Sequence, residues 1–223
     1  MRILVIQTAF IGDVILATSI IESLHQNSPD SKIDFLLRKG NESLLKNHPH
    51  LNKILIFDKK NGKYRNLINL IIDIRKNKYD LVINIQRFFT TGLITALSGS
   101  KKTIGFKKNP LSIFFTHRIA HNISKNDDFV HETERNLDLL KPIFSVTYSK
   151  PKLYPSSEDF HIIPDLEYIC LAPGSVWKTK QWPIEKWIEL CDNIPEKYHI
   201  YIIGSKDDSS VANKIISATN KIK

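Results

Sequence analysis

Short apolar runs alternate along the chain with stretches in which apolar positions recur every three or four residues. RILVIQ (2–7), KIDFLLR (32–38), KILIFD (53–58) and YDLVINIQ (79–86) read as strands. Between them, Val14, Ala17, Ile20, Ile21 and Leu24 mark one face of a helix that Pro29 closes, and a short helix is expected around Glu42–Lys46. Leu67, Leu70, Ile71 and Ile74 stripe a further helix. FTTGLITAL then predicts a helix and KTIGF a short strand. This βαβα rhythm predicts an α/β protein with a mostly parallel sheet covered by helices on both faces.

Residues 106–128 are less regular and carry the basic positions Lys107, Lys108 and Arg118. HETERNLDLLKPI (131–143) predicts a helix. From Phe144 to Pro164 the chain has Pro151, Pro155, Pro164 and several serines with little periodicity, which places a domain boundary there. The expected organisation is a first domain over 1–150, a linker over 151–166 and a second α/β unit over 167–223. That unit opens with the strand EYICLAP and a loop. The helix Pro183–Asn193 follows, with Pro183 at its first position and Ile184, Trp187, Ile188 and Cys191 on its buried face. YHIYIIG is its second strand, and a last helix starts at about Asp207. A complete second Rossmann-like domain needs on the order of another hundred residues, so the chain reads as one whole domain plus the opening half of another.

Composition changes this picture little. The 223 residues are 42% hydrophobic and 25% charged, as in ordinary globular proteins. The net charge of +9 favours anionic partners such as nucleotides, phosphorylated sugars, nucleic acid or an acidic membrane surface, and equally suits a plain lysine-rich surface. Cys170 and Cys191 lie in apolar stretches without a C-x-x-C pair and are expected as buried, reduced thiols. The apolar run Ile3–Ile6 is too short for a signal-peptide core, and no run approaches the ~20 residues that cross a bilayer. A cytoplasmic protein is expected.

Two corners carry candidate chemistry. In QTAFIGDVILATS (7–19) a strand turns into a helix at Gly12-Asp13. A carboxylate there repels the phosphate that such a corner often binds. Asp13 is open to two readings: a cap on the helix N-terminus, or a general base at the edge where α/β sheets bind ligands. In LAPGSVWKTKQWP (171–183), Gly174 permits close backbone approach, Ser175 and Thr179 supply hydroxyl donors, and Lys180 supplies a positive charge. These suit a diphosphate, or a solvated turn. Asp207 and Asp208 read as caps of the last helix, one of them within reach of a ribose hydroxyl, and His131 as a packing or capping residue. No P-loop, G-x-G-x-x-G, H-E-x-x-H, D-x-D or G-x-S-x-G pattern occurs. The missing glycine fingerprint disfavours a Rossmann oxidoreductase.

Four segments, in order, resemble glycosyltransferase family 9, the heptosyltransferases of the lipopolysaccharide inner core. They are MRILVIQTAFIGDVILATSII, KYDLVINIQ with SGSKKTIGF, HETERNLDLL, and APGSVWKTKQWPIEKWIEL. The resemblance implies a GT-B fold of two Rossmann-like domains. It implies inverting sugar transfer, typically from ADP-heptose to a lipopolysaccharide core acceptor, with no metal site and no cofactor. Asp13 matches the family's catalytic base. Lys180, Ser175 and Thr179, with Gly174, match the donor diphosphate site, and Asp208 falls near an acidic position that contacts the ribose. Lys107, Lys108 and Arg118 are candidates for an acidic acceptor. The partners implied are donor and acceptor, with transient contact at the inner face of the plasma membrane and no nucleic acid. A loop that completes the family's nucleotide pocket has no counterpart in the chain. The alternative function is therefore a truncated, non-catalytic nucleotide- or glycan-binding remnant.

Overall fold

The computed structural model describes residues 1–60, 62–125, 128–146, 148–156, 166–175 and 177–219. The chain divides into two compact units, Met1–Ser156 and Ser157–Lys223.

Unit 1 is built on a six-stranded sheet of β1 (Arg2–Ile6), β2 (Lys32–Arg38), β3 (Leu51–Phe57), β4 (Leu81–Asn84), β5 (Lys102–Phe106) and β6 (His117–Ile119). The strand order is β3-β2-β1-β4-β5-β6 and every pair is parallel. The order reverses between β1 and β4, so the crevice expected to bind ligands opens beyond the carboxyl ends of those two strands. β1 is apolar from Ile3 to Ile6 because both its faces are covered there. Ile3 and Val5 join a core with α1 (Ile11–Asn27) and the helix Glu132–Asp138, here α4. Leu4 and Ile6 face α2 (Lys63–Lys76) and α3 (Phe89–Ala96). Val14, Ala17, Ile20, Ile21 and Leu24 are fully buried, as their spacing requires. Each Val, Ile or Leu side chain among them contributes roughly 1.5–3 kcal/mol.

Three segments of unit 1 differ from expectation. The stretch read as irregular contains β6, which is too short at three residues to show periodicity, and a small antiparallel pair, β7 (Ser124–Lys125) with β8 (Asp128–Phe129). α4 ends at Asp138 rather than near 143, because Pro142 lacks an N–H and disfavours helical geometry at Lys141. Residues 149–156 lie along α1. Ser149 Oγ donates to Gln26 (3.1 Å), the Lys152 N–H to Thr18 Oγ1 (2.8 Å) and the Tyr154 hydroxyl to Glu22 (2.9 Å). The rest of the expected linker, 157–165, lies outside the described residues.

Unit 2 pairs β9 (Tyr168–Leu171) with β10 (His199–Ile202) in parallel, packed by α5 (Ile184–Asn193) and α6 (Ser209–Ala218). Ile169, Leu171 and Ile200 share a core with Cys191, Ile194 and Ile215. Cys191 is buried, but Cys170 is exposed, which corrects the expectation for that thiol. Strand alternation sets Cys170 on the face opposite Ile169 and Leu171, and α5 and α6 cover only the latter face. Among the described residues no helix is long and apolar enough to cross a membrane.

Candidate functional site

Each sheet presents its candidate chemistry at the carboxyl ends of its strands. In unit 1 the turn from β1 into α1 is held by side chains from four directions. Thr8 Oγ1 donates to Gln86 Oε1 (2.7 Å), Asn41 Nδ2 to the Ala9 carbonyl (3.1 Å) and Lys59 Nζ to the Thr8 carbonyl (2.9 Å). Asp13, half-buried, accepts the Phe10 N–H at 3.1 Å. Phe10 sits at the N-cap with no acceptor of its own, so Asp13 in the first turn supplies the side-chain part of the cap. The capping reading of Asp13 is therefore realised in the structure, at the carboxyl end of β1.

Cations collect next to that turn. A cavity of about 420 Å³ is lined by Arg38, Lys39 and Gly40 from the end of β2 and by Phe57, Asp58, Lys59 and Lys60 from the end of β3. Gly40 turns the chain there at φ +100°, a conformation open to glycine. Four cations face one acid, and Asp58 is engaged by Lys39 at 2.9 Å. The Arg38 guanidinium lies 4.7 Å from the centre of the Phe10 ring. Burial pushes the Lys59 ammonium below its ordinary value, and Arg38 and Lys63 push the same way. An anion entering the cavity relieves that repulsion.

Lys107 and Lys108 are exposed immediately after β5, at this same edge, and the Lys107 N–H donates to the Ile119 carbonyl (2.8 Å). Arg118 is also exposed, but it lies within β6, paired in register with Gly105. The three expected acceptor residues thus do not form one cluster with Asp13. Arg38, Lys39, Lys59 and Lys60 stand closer to its turn. They were passed over in the sequence because a lysine pair after a strand looks like solvated loop. The buried polar ends of an otherwise apolar run, Asn84 and Gln86 in YDLVINIQ, were the signal for this edge.

In unit 2 the loop after β9 and the turn after β10 meet. Asp208 packs over Gly174 and Gly204, and a Cβ on Gly174 would overlap its carboxylate. One carboxylate oxygen of Asp208 accepts both the Ser205 N–H (2.8 Å) and the Ser205 hydroxyl (2.7 Å), which holds its pKa below the usual value. Ser205 and Asp208 thereby cap the turn leading into α6. Ser175 shapes the neighbouring loop: its Oγ accepts the Trp177 N–H (3.2 Å) and its carbonyl accepts Gln181 Nε2 (2.7 Å). Thr179 and Lys180 lie on a short 3-10 turn, Lys178–Lys180, with their side chains exposed. The fold brings Gly174 and Asp208 together, and leaves Thr179 and Lys180 free to meet a ligand.

Elsewhere in unit 1, a larger cavity of about 620 Å³ lies beside β6 and α4, with Leu137, Val146 and Tyr148 in its lining and none of the candidate residues. His131 caps α4, its Nδ1 accepting the Thr133 N–H at 3.2 Å. Among the described residues no group of three acidic, histidine or cysteine side chains is arranged to hold a metal ion.

The chain is 24% identical over 214 residues to lipopolysaccharide heptosyltransferase 1 of Campylobacter coli, covering 89% of this chain and 62% of that protein. It is 26% identical over 227 residues to lipopolysaccharide heptosyltransferase 3 of Escherichia coli K12, covering 92% and 64%. The chain thus spans less than two thirds of the length of these two relatives. Its fold matches the crystal structure of a family 9 glycosyl transferase from Veillonella parvula (TM-score 0.82, 20% identity, 100% of this chain and 67% of that one). It also matches E. coli ADP-heptose lps heptosyltransferase II (TM-score 0.81, 22% identity, 99% and 69%). The model of glycosyltransferase family 9 (heptosyltransferase) matches residues 67–222, from α2 through the Gly174–Asp208 edge, and the chain belongs to that family.

Proposed function

We propose that the chain is part of an inverting glycosyltransferase that moves heptose from ADP-heptose to a lipopolysaccharide core acceptor. In this reading residues 1–150 form the acceptor-side domain and 167–223 part of the nucleotide-sugar-binding domain. The observation that carries the reading is Asp13. It is a half-buried carboxylate fixed at the switch-point edge of a parallel sheet, in a chain of this family, beside a cationic cavity. Solved family structures with ADP (TM-score 0.76, 21% identity) and with ADP-2-deoxy-2-fluoro heptose (TM-score 0.77, 19% identity) have the same fold and support the choice of donor.

The chemistry follows from charge. The Asp13 carboxylate takes the proton of an acceptor hydroxyl as its oxygen attacks the anomeric carbon from the side opposite the diphosphate. The bond from that carbon to the diphosphate oxygen breaks, and ADP leaves with the added negative charge. The Lys180 ammonium and the Ser175 and Thr179 hydroxyls stabilise that charge, and Asp208 accepts a hydrogen bond from the ribose. Arg38, Lys59, Lys60, Lys107 and Lys108 attract the acidic sugars of the acceptor, with Arg118 as a more distant contributor. The enzyme works at the cytoplasmic face of the inner membrane, where its lipid-anchored acceptor lies.

The test is calorimetric titration of the chain with ADP, joined to an assay for ADP release from ADP-heptose with a lipopolysaccharide core acceptor. ADP binding that Lys180→Ala weakens about tenfold or more, and release that Asp13→Asn abolishes, are the expected results. ADP binding with no release on any core acceptor returns the chain to the non-catalytic reading.

A further inference from the structure

α2 is apolar on two faces. Leu67, Leu70, Ile71 and Ile74 are buried in the core beneath it. Tyr64, Ile68 and Ile72 recur every fourth position on its outer side and are 77%, 59% and 44% exposed. Spaced one per turn, they form a ridge about 12 Å long. Single exposed apolar residues are ordinary, but a helix with apolar residues on both sides is normally covered on both.

The apolar surface extends to the neighbouring helix. Arg75, three positions beyond Ile72, donates from Nη1 to the Leu97 carbonyl at the end of α3 (3.1 Å). Leu97, tied to α2 in this way, is itself 43% exposed.

The border of this surface is positive. Residues 62–78 hold Lys63, Arg65, Arg75, Lys76 and Lys78, all exposed, against one acid, Asp73, which lies 3.7 Å from Lys76. A second copy does not fit such a border. Whether two α2 helices meet parallel or antiparallel across a two-fold axis, cations of one face cations of the other. Acids are what the border selects. None of the candidate site residues of either unit lies on α2.

We propose that Tyr64, Ile68, Ile72 and Leu97, with the cations around them, form a docking surface for an acidic amphipathic helix of a partner protein. An apolar ridge on one helix fits the groove between side-chain rows of another. Acids flanking the partner's own apolar stripe then pair with Lys63, Arg65 and Lys76. The inference is independent of the transfer reaction and of both its substrates.

The test is fluorescence anisotropy of labelled peptides titrated with the 223-residue chain. One peptide is an alanine-based helix with a leucine stripe flanked by glutamates, and the other has lysines in place of the glutamates. The glutamate peptide should bind with a Kd of about 100 μM or tighter, and the lysine peptide about tenfold more weakly or worse. Ile68→Ser with Ile72→Ser should weaken the glutamate peptide about tenfold, and Arg65→Ser about threefold, with melting temperatures close to that of the parent. Ile113→Ser, at an exposed position outside this surface, should change nothing. No binding of the glutamate peptide, equal binding of the lysine peptide, full binding by the double serine variant, or an equal loss from Ile113→Ser overturns the proposal. Sedimentation of the chain alone and with phosphatidylglycerol vesicles tests the other occupants. A dimer or a vesicle complex that the double serine variant loses overturns the proposal too.

Discussion

The carboxylate of Asp208 lies against the Cα of Gly174, thirty-four positions earlier in the chain, so closely that the glycine cannot gain a Cβ without moving it. Gly174→Ala is expected to swing Asp208 off Ser205, lower stability by about 1–3 kcal/mol and weaken ADP binding about tenfold. Adding Asp208→Ala should restore most of the stability and none of the ADP affinity. Thermal melts and ADP titrations of the two variants check this. A Gly174→Ala protein indistinguishable from the parent would count against the contact.

Asp13 holds two positions at once, cap and proposed base, and one substitution separates them. Asp13→Asn retains a side-chain oxygen for the Phe10 N–H and loses the negative charge near the start of α1, at a cost of about 0.3–1 kcal/mol. Loss of a general base lowers turnover by roughly 10²–10⁴. ADP release should fall by that factor while the melting temperature moves by only a few degrees. Comparable losses of activity and fold would leave Asp13 as a cap alone.

Lys59 reaches the Thr8 carbonyl from the end of β3 and brings positive charge to the turn that carries Asp13. Lys59→Met keeps most of the packing and removes both charge and tether. An acceptor KM raised about tenfold, with ADP affinity unchanged, is expected from initial-rate measurements. An unchanged KM would move the acidic sugars elsewhere on the edge.

His48 makes the fold sensitive to acid. Its ring is buried against α1 and the 149–156 segment, with Nε2 3.4 Å from Glu22 and the Tyr154 ring centre 4.8 Å away. Burial pushes its pKa down to about 4 against the pull of Glu22, and His50 and Lys152 push it the same way. His50, stacked on His25 at 3.6 Å, is lowered too, by burial first and then by His25 and Lys152 against Glu22. Between the ordinary value of 6.5 and about 4, the unfolded chain binds more protons than the folded one. The stability that His48 contributes is therefore complete above pH 6.5 and declines as pH falls toward 4, by up to about 3 kcal/mol. Urea denaturation at neutral and acid pH should show that decline, and His48→Gln should flatten it. A parent protein with no loss of stability in this window would contradict the buried neutral ring.

The chain's periodicity alone located most of the elements. The strand KIDFLLR and the helix stripes Val14–Leu24 and Leu67–Ile74 are legible because each is a property of a contiguous window: a short run buried on both faces of a sheet, or every third to fourth residue of a helix facing a core. His-Arg-Ile of β6 escaped because three residues hold too few repeats, and the exposure of Cys170 because alternation does not say which face of a strand is covered.

The residue types of the candidate site were equally legible. Asp13 after the first strand, and Gly174 with Ser175, Thr179 and Lys180 after another, stand at the carboxyl ends of strands that their own apolar runs revealed. Their surroundings were not. That Lys59 and Asn41 hold the turn before Asp13, and that Asp208 covers Gly174, depend on which strands became neighbours and in what register. A side chain's local window determines whether it belongs to a helix, a strand or a turn. Many of its polar partners come from distant parts of the chain, brought to hydrogen-bonding distance by the order β3-β2-β1-β4-β5-β6 and by the β9–β10 pair, and only tertiary packing decides those.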